Sequence, residues 1–337
     1  MRVYQIPKPA GIDSLVLREA PKPTPGRGEV LVRMRAASQN YRDLMVLTGR
    51  YARGTPLPDL VPLSDGAGEV AEIGPGVTRV KPGDRVAGIF MQTWLGGDSE
   101  PEHAASSLGG AIHGVLAEYV LFDQQGLVRL PEHLSFEEGA TLPCAGVTAW
   151  NALYAGRPLI AGQSVLVLGT GGVSMFALQF ARAAGARVIA TSSSDAKLAR
   201  ARELGASGTV NYRQHPEWQQ EVLALTEGRG VDHVVEVGGA GTLQRSIEAA
   251  RPGGQIHQIG VLTGSGPIDA TAAMRKGLIL RGIYVGSRQM FDAMNRAIAV
   301  NRLHPVIDRV FSFEQAREAY HHLQGQSHFG KVVIGIE

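Results

Sequence analysis

The sequence predicts an α/β chain of two domains, one β-rich and one built on a parallel sheet with helices on both faces. Three observations predict this. The 337 residues exceed what a single hydrophobic core usually organises. Residues 1–124 read as short strands divided by Gly/Pro turns. After residue 125, apolar runs alternate with helical patterns, as consecutive strand–helix units require.

Each element follows from its local pattern. Pro21-Lys22-Pro23-Thr24-Pro25-Gly26-Arg27-Gly28 is turn-forming, and the alternation of Glu29 to Arg35 predicts a half-buried strand. Ala67 to Ile73 is a second strand, and Lys81-Pro82-Gly83-Asp84 a turn that feeds a third. Residues 91–114, rich in Gly, Ser and His, predict a long loop. Val165-Leu166-Val167-Leu168 is wholly apolar, as expected of a strand covered on both faces. A helix is predicted over Val173 to Ala184, a strand over Val188 to Thr191, and a helix over Asp195 to Leu204 that ends at Gly205. Strands follow at Val231 to Val237 and Gln255 to Val261, with a helix from Thr242 to Ala250 between them. Gly277 to Val285 reads as a late, strongly apolar strand. The chain closes with a helix near Phe313 to Leu323 and a strand over Lys331 to Ile336.

Composition narrows the function. Lys plus Arg number 33 against 31 Asp plus Glu, with no long basic run, so no nucleic-acid partner is expected. No apolar run reaches the roughly 18 residues of a membrane span, and the start lacks the apolar core of a signal peptide. A cytoplasmic protein with no membrane partner is the expectation. The single cysteine, Cys144, can form neither an intrachain disulfide nor a multi-cysteine zinc cluster.

One motif carries chemistry. Gly169-Thr170-Gly171-Gly172-Val173-Ser174 lies between an apolar strand and a helix. Glycines there let a pyrophosphate approach the backbone, and the helix N-terminus offers N–H groups and a positive dipole end. Ser174 replaces the third glycine of the dinucleotide fingerprint. Past the next strand stands Thr191-Ser192-Ser193-Ser194, where an acid would accept from the ribose hydroxyls of NAD. Ser192 and Ser193, with Lys197 behind them, suit a 2′-phosphate better, so NADP(H) is the expected cofactor.

With these pieces the chain resembles the medium-chain dehydrogenase/reductase superfamily, in its zinc-free quinone oxidoreductase-like branch, close to the zinc-type alcohol dehydrogenase-like proteins. The resemblance rests on Asn40-Tyr41-Arg42-Asp43-Leu44, Gly66-Ala67-Gly68-Glu69-Val70, Pro82-Gly83-Asp84-Arg85-Val86, Ala140-Thr141-Leu142-Pro143 through Thr148-Ala149, the phosphate loop, and Gly330-Lys331-Val332-Val333. It implies a GroES-like β-rich domain from residues 1–124 and 290–337, with a Rossmann parallel-sheet domain, residues 125–289, inserted. It further implies that Thr148 faces the nicotinamide and Tyr212 the adenosine phosphate. Val237, Gly238, Gly260 and Val261, at the ends of the later strands, complete the cofactor-lining set. Zinc-dependent members hold their metal at positions that match Asn40, Ser64 and Cys144, of which only Cys144 is a good zinc ligand, so no metal is expected. His103 and His113 fall in the loop where the structural zinc lobe would stand and read as loop residues. Cys144 reads as a small buried residue. Without a metal, hydrogen-bond donors must polarise the substrate oxygen. The resemblance gives that pocket to Asn40, Tyr51 and Asp43, with Asn40 and Tyr51 as donors and Asp43 as an orienting group or a structural one. Phe90, Trp94 and Tyr41 are candidate walls.

These features predict NADPH-dependent hydride transfer to a small quinone or activated carbonyl or alkene. Alcohol oxidation and enoyl-thioester reduction are alternatives on the same scaffold, and a non-catalytic NADPH sensor is a third. The apolar late strand predicts a homodimer through a shared sheet edge.

Overall fold

A computed structural model describes residues 1–51, 57–264 and 266–337. In chain order its first strands are β1 (Arg2–Gln5), β2 (Val16–Glu19), β3 (Glu29–Ser38), β4 (Asp65–Ile73), β5 (Arg85–Gly88), β6 (Tyr119–Asp123) and β7 (Leu127–Arg129). With them come the helices α1 (Tyr41–Leu47), α2 (Phe136–Ala140) and α3 (Val147–Tyr154). The second sheet's strands are β8 (Ser164–Val167), β9 (Arg187–Ser192), β10 (Gly208–Asn211), β11 (Val231–Glu236), β12 (Ala250–Gln258) and β13 (Ile279–Gly282). Between them lie α4 (Gly172–Ala183), α5 (Asp195–Glu203), α6 (Trp218–Leu225), α7 (Ala240–Ala249) and α8 (Ala270–Arg275). The chain ends with α9 (Arg288–Asn301), β14 (Ile307–Phe311), α10 (Ala316–Gln324) and β15 (Lys331–Gly335).

The chain folds as two units, Met1–Val147 with Val285–Glu337, and Thr148–Tyr284. These boundaries differ from the sequence reading, which gave 125–147 and 285–289 to the inserted domain. The reason is pairing: β7 joins β5 in the first unit's sheet, and α2 packs on β3 and β4.

The first unit carries a sheet in the order β14-β15-β3-β4-β5-β7, with β6 also paired to β3. Its strand β3 keeps the predicted alternation over Val32 to Arg35, with Val32 and Met34 buried, Arg33 exposed and Arg35 half-buried. Leu31 and Ala37, on the same face as Arg33, are nonetheless at most 1% exposed, and β4, β6 and β15 all pair along this strand. The loop at 91–114 holds a short 3-10 turn, Pro101–Ser106.

The second unit is an all-parallel sheet, β10-β9-β8-β11-β12-β13, the order that places a dinucleotide beyond the carboxyl ends of β8 and β9. Every residue of β8 is buried, as its unbroken apolar run requires. β13 is an edge strand of four residues, with Ile279 41% and Leu280 43% exposed. None of the described helices is long and apolar enough to cross a membrane.

Candidate functional site

In the second unit the loop after β8 turns at Gly169, whose φ of +68° favours glycine. A Cβ on Gly169 or Gly171 would meet nothing within 4 Å, so the loop's outer surface is open for a ligand to approach the backbone. The helix α4 begins at Gly172 with no side chain capping its N-terminus, so its first N–H groups are left for a ligand. Ser174 is buried, and its hydroxyl donates to the Leu168 carbonyl at 2.6 Å. The small side chain thus fills the place of the third fingerprint glycine and binds the loop as well.

The other expected cofactor residues gather around this loop. Gly169 N donates to Thr191 Oγ1 at 3.2 Å, tying the loop to the end of β9. Ser192 is buried there, and Tyr212 N donates to its carbonyl at 3.0 Å, which brings Tyr212 alongside. Lys197 lies in the first turn of α5, its N–H donating to Ser194 Oγ. The acid of this region is Asp195, which the sequence reading passed over. Its carboxylate accepts from Asn211 Nδ2 at 2.7 Å and Gln214 Nε2 at 2.8 Å.

Val237, Gly238, Gly260 and Val261 form a second group. A Cβ on Gly260 would overlap the Val237 carbonyl oxygen at 1.6 Å, so this crossing demands glycine. Glu236 organises it: its buried carboxylate accepts from Gly238 N at 2.8 Å, Gly239 N at 3.1 Å, Thr242 Oγ1 at 2.6 Å and Ser246 Oγ. Thr148 is buried in α3. A buried Glu at the end of a strand reads as an ordinary core exception in sequence, so nothing singled out Glu236.

The first unit holds the expected donors in a charged cluster at the start of α1. Asn40 caps the helix, and its N–H donates to Asp43 Oδ2 at 2.7 Å. Lys331, on β15 and only 3% exposed, donates from Nζ to Asn40 Oδ1 and to the Gln39 carbonyl, each at 2.6 Å. The same Nζ lies 3.8 Å from Asp65 Oδ2. Asp65 in turn accepts from Ser64 Oγ at 2.6 Å and from Cys144 N at 3.1 Å. A π-turn at Leu142–Gly146 carries Cys144. Burial raises the Asp65 carboxyl above its ordinary range, opposed by Lys331 and the hydroxyl of Ser64. Burial likewise pushes Asp43 up to about 6, against the pull of the Arg42 guanidinium.

Tyr51 is joined to this cluster through Arg42. The guanidinium lies 4.3 Å from the centre of the Tyr51 ring and 4.5 Å from that of Phe90, and 3.9 Å from Asp43 Oδ1. Trp94 is buried, with Nε1 donating to the Gly97 carbonyl, whereas Tyr41 is 40% exposed. His113 accepts from Val61 N at 3.1 Å and His103 from Glu100 N at 2.9 Å, so both serve the local backbone. Several buried polar atoms here make no hydrogen bond among the described residues: both ends of the Gln39 amide, Asn40 Nδ2, Asp43 Oδ1 and the Tyr320 hydroxyl. Orphaned buried groups are costly, and their concentration marks a place that water or a ligand completes.

A zinc ion does not fit this cluster. Of the three positions that the resemblance matches to metal ligands, Asn40 and Ser64 offer only an amide and a hydroxyl, whereas catalytic zinc takes about three Cys, His or carboxylate ligands. The Asp65 carboxylate is already engaged, and an ammonium stands beside it. Among the described residues no group of three His, Cys, Asp or Glu is arranged to hold a metal. Arg42, Asp65, Tyr320 and Lys331 were not predicted as site residues. The available signals were Arg42 within the Asn40–Leu44 motif, Asp65 beside Ser64 and Lys331 within the closing motif.

A β-rich unit with buried donors and a parallel-sheet unit with an open phosphate loop define a class, the nicotinamide-dependent oxidoreductases. Residues 26–132 match the alcohol dehydrogenase GroES-like domain family, and residues 172–299 match the zinc-binding dehydrogenase family. A zinc-type alcohol dehydrogenase-like protein of Schizosaccharomyces pombe is 45% identical over 317 residues, covering 92% of this chain and 91% of that one. The crystal structure of a Sinorhizobium meliloti 1021 protein superposes with a TM-score of 0.93 at 41% identity, covering 99% of this chain and 98% of its own. A structure named as an NAD-dependent alcohol dehydrogenase follows at 0.91 and 36%, covering all of both chains. The chain belongs to the medium-chain dehydrogenase/reductase superfamily, among its zinc-type alcohol dehydrogenase-like members.

Proposed function

We propose that this oxidoreductase reduces a small quinone or activated carbonyl or alkene with NADPH and without zinc. The observation that carries the reading is the Asn40–Asp43–Asp65–Lys331 cluster, which includes one of the three positions that the resemblance matches to metal ligands and offers buried donors there. NADPH, when bound, supplies the hydride. The loop at Gly169–Val173, with Ser192, Ser193, Lys197 and Tyr212, would hold its phosphates, and Thr148, Val237, Gly238, Gly260 and Val261 its remaining length. Asn40 Nδ2 would donate to the substrate oxygen as negative charge develops there. Tyr51, its ring held by Arg42, would donate a proton to that oxygen or to the carbon next to it. Asp43 orients the backbone of Asn40 rather than the substrate.

Alcohol oxidation with NAD is a second reading, favoured by the names of the relatives. A turnover screen of quinones, enones, aldehydes and alcohols with each cofactor separates the two. Reduction by NADPH, undiminished by chelators and with no stoichiometric zinc by elemental analysis, is expected. Zinc at about one per chain, or turnover of alcohols alone, overturns the reading. The exposed edge strand β13 supports a homodimer that pairs two copies of this strand, and light scattering at micromolar concentration should give twice the chain mass.

A further inference from the structure

We propose that Lys331 is a positioning residue: its buried ammonium fixes the direction of the Asn40 amide, so that Nδ2 rather than Oδ1 faces the substrate oxygen. The inference rests on the reading of Asn40 as the donor and adds the group that makes it one.

The physical argument starts from the ammonium. A lysine head has three N–H donors and no acceptor. The Lys331 head is directed at Gln39 O, Asn40 Oδ1 and, at the longer distance of 3.8 Å, Asp65 Oδ2. Whichever atom of the Asn40 amide faces it must therefore be the oxygen. A free asparagine exchanges its two ends by a rotation that costs little, whereas this one cannot without placing an NH₂ against an ammonium. Asn40 Nδ2 is left as a buried donor that makes no hydrogen bond of normal geometry, although it lies close enough to Asp65 to favour that carboxylate's ionisation. The charge balance closes on the chain itself. Asp65 is held by the Ser64 hydroxyl and the Cys144 backbone, and Lys331 supplies the cation beside it. The three positions that match metal ligands, Asn40, Ser64 and Cys144, are thus all bound to one Asp65–Lys331 pair. A fixed donor needs no reorganisation as charge develops on a substrate, which is where such a donor acts most strongly.

The test compares five variants of the full chain in steady-state reduction of whichever acceptor the screen identifies. Asn40→Ala removes the donor and should lower kcat about 100-fold. Lys331→Met, similar in length but without charge, should lower kcat by about 10- to 100-fold with little change in KM, because the donor survives but is no longer held. Asn40→Asp keeps an oxygen for Lys331 and puts a second in place of Nδ2, and it should fall as far as Asn40→Ala. Lys331→Met combined with Asn40→Ala should be no slower than Asn40→Ala alone, since positioning has no effect once the donor is gone. Lys331→Arg, which retains a cationic donor, should recover part of the loss and guards against a Lys331→Met chain that does not fold. NADPH binding, followed by its fluorescence, should be unchanged in all of them.

Losses that multiply in the double variant would show a merely structural Lys331 and overturn the inference. Full activity of Lys331→Met beside an impaired Asn40→Ala would also overturn it. If Asn40→Ala itself keeps full activity, it is the donor reading that fails.

Discussion

Buried carboxylates in the two units have opposite surroundings. In the parallel-sheet unit, Asp232 is 2% exposed, and both oxygens are bonded: Arg251 at 2.6 Å, Arg229 at 3.0 and 3.1 Å, and the N–H and hydroxyl of Ser164 at 2.9 Å. Burial opposes its ionisation, but the two arginines and Ser164 prevail and hold it below the usual carboxylate range. In the β-rich unit, Asp43 is 1% exposed, with one oxygen lacking any hydrogen bond and its ionisation raised to about 6. The first arrangement spends its interactions on the fold. The second leaves Oδ1 without a hydrogen bond among the described residues, 3.9 Å from the Arg42 guanidinium, within the cluster proposed as the substrate site.

The largest test removes the satisfied member. Asp232→Ala leaves the Arg251 guanidinium, 20% exposed, without its partner, and should destabilise the chain by about 3–5 kcal/mol in urea titration. The wild-type contribution is fully present above the usual carboxylate pKa and is lost on acidification, so the two proteins should converge in stability towards acid. Loss of less than about 1 kcal/mol at pH 7 would show that Asp232 is no better satisfied than Asp43.

Asp43 should behave in the opposite sense. Its folded pKa, about 6, lies above the unfolded value of about 3.9. Between them the unfolded chain has released the proton and the folded chain keeps it, so stability falls as pH rises. The contribution is fully present below about pH 4 and gone above pH 6–7. Two pKa units correspond to about 3 kcal/mol, an upper bound. Asp43→Asn cannot titrate, and its stability relative to wild type should increase between pH 5 and 7.5. A constant difference across that range would mean that Asp43 is ionised throughout.

The smallest test concerns the surface of the parallel-sheet unit, where the acid nearest the serine run, Asp195, is taken up by Asn211 and Gln214. Lys197→Ala should weaken NADPH binding about 10- to 100-fold and leave NADH nearly unaffected, from the ~1.5–3 kcal/mol of a charge-assisted contact. Ser192→Asp, which adds an unpaired acid at the end of β9, should shift preference towards NADH. Equal affinities of the unmodified protein for both cofactors would remove the NADPH assignment.

Much of the parallel-sheet unit was legible in the sequence, because its signals are local. A run such as Val165 to Leu168, followed at once by a glycine turn, reads as a strand covered on both faces, and the glycines leave the backbone open to approach. The serine run and the absent acid are read off consecutive residues. The β-rich unit was legible as a type, and β3 keeps its predicted alternation. That alternation is local, whereas the partners of β3 arrive from strands that begin at residues 65, 119 and 331, which no local pattern pairs with it.

The sequence by itself determined the sheet-and-loop architecture and, through the resemblance, the expectation that Asn40 and Ser64 stand at two metal-ligand positions. Only the tertiary structure decided what stands among those positions. Lys331 is 291 residues from Asn40 and lies on the last strand, and its aliphatic neighbours mark it as an ordinary strand residue. β15 pairs antiparallel with β3, placing Val333 opposite Ser38, and this register carries the Lys331 ammonium to the Asn40 amide and the Asp65 carboxylate. Charges so far apart in sequence meet only where strand pairing brings them, and burial then gives their contact its strength.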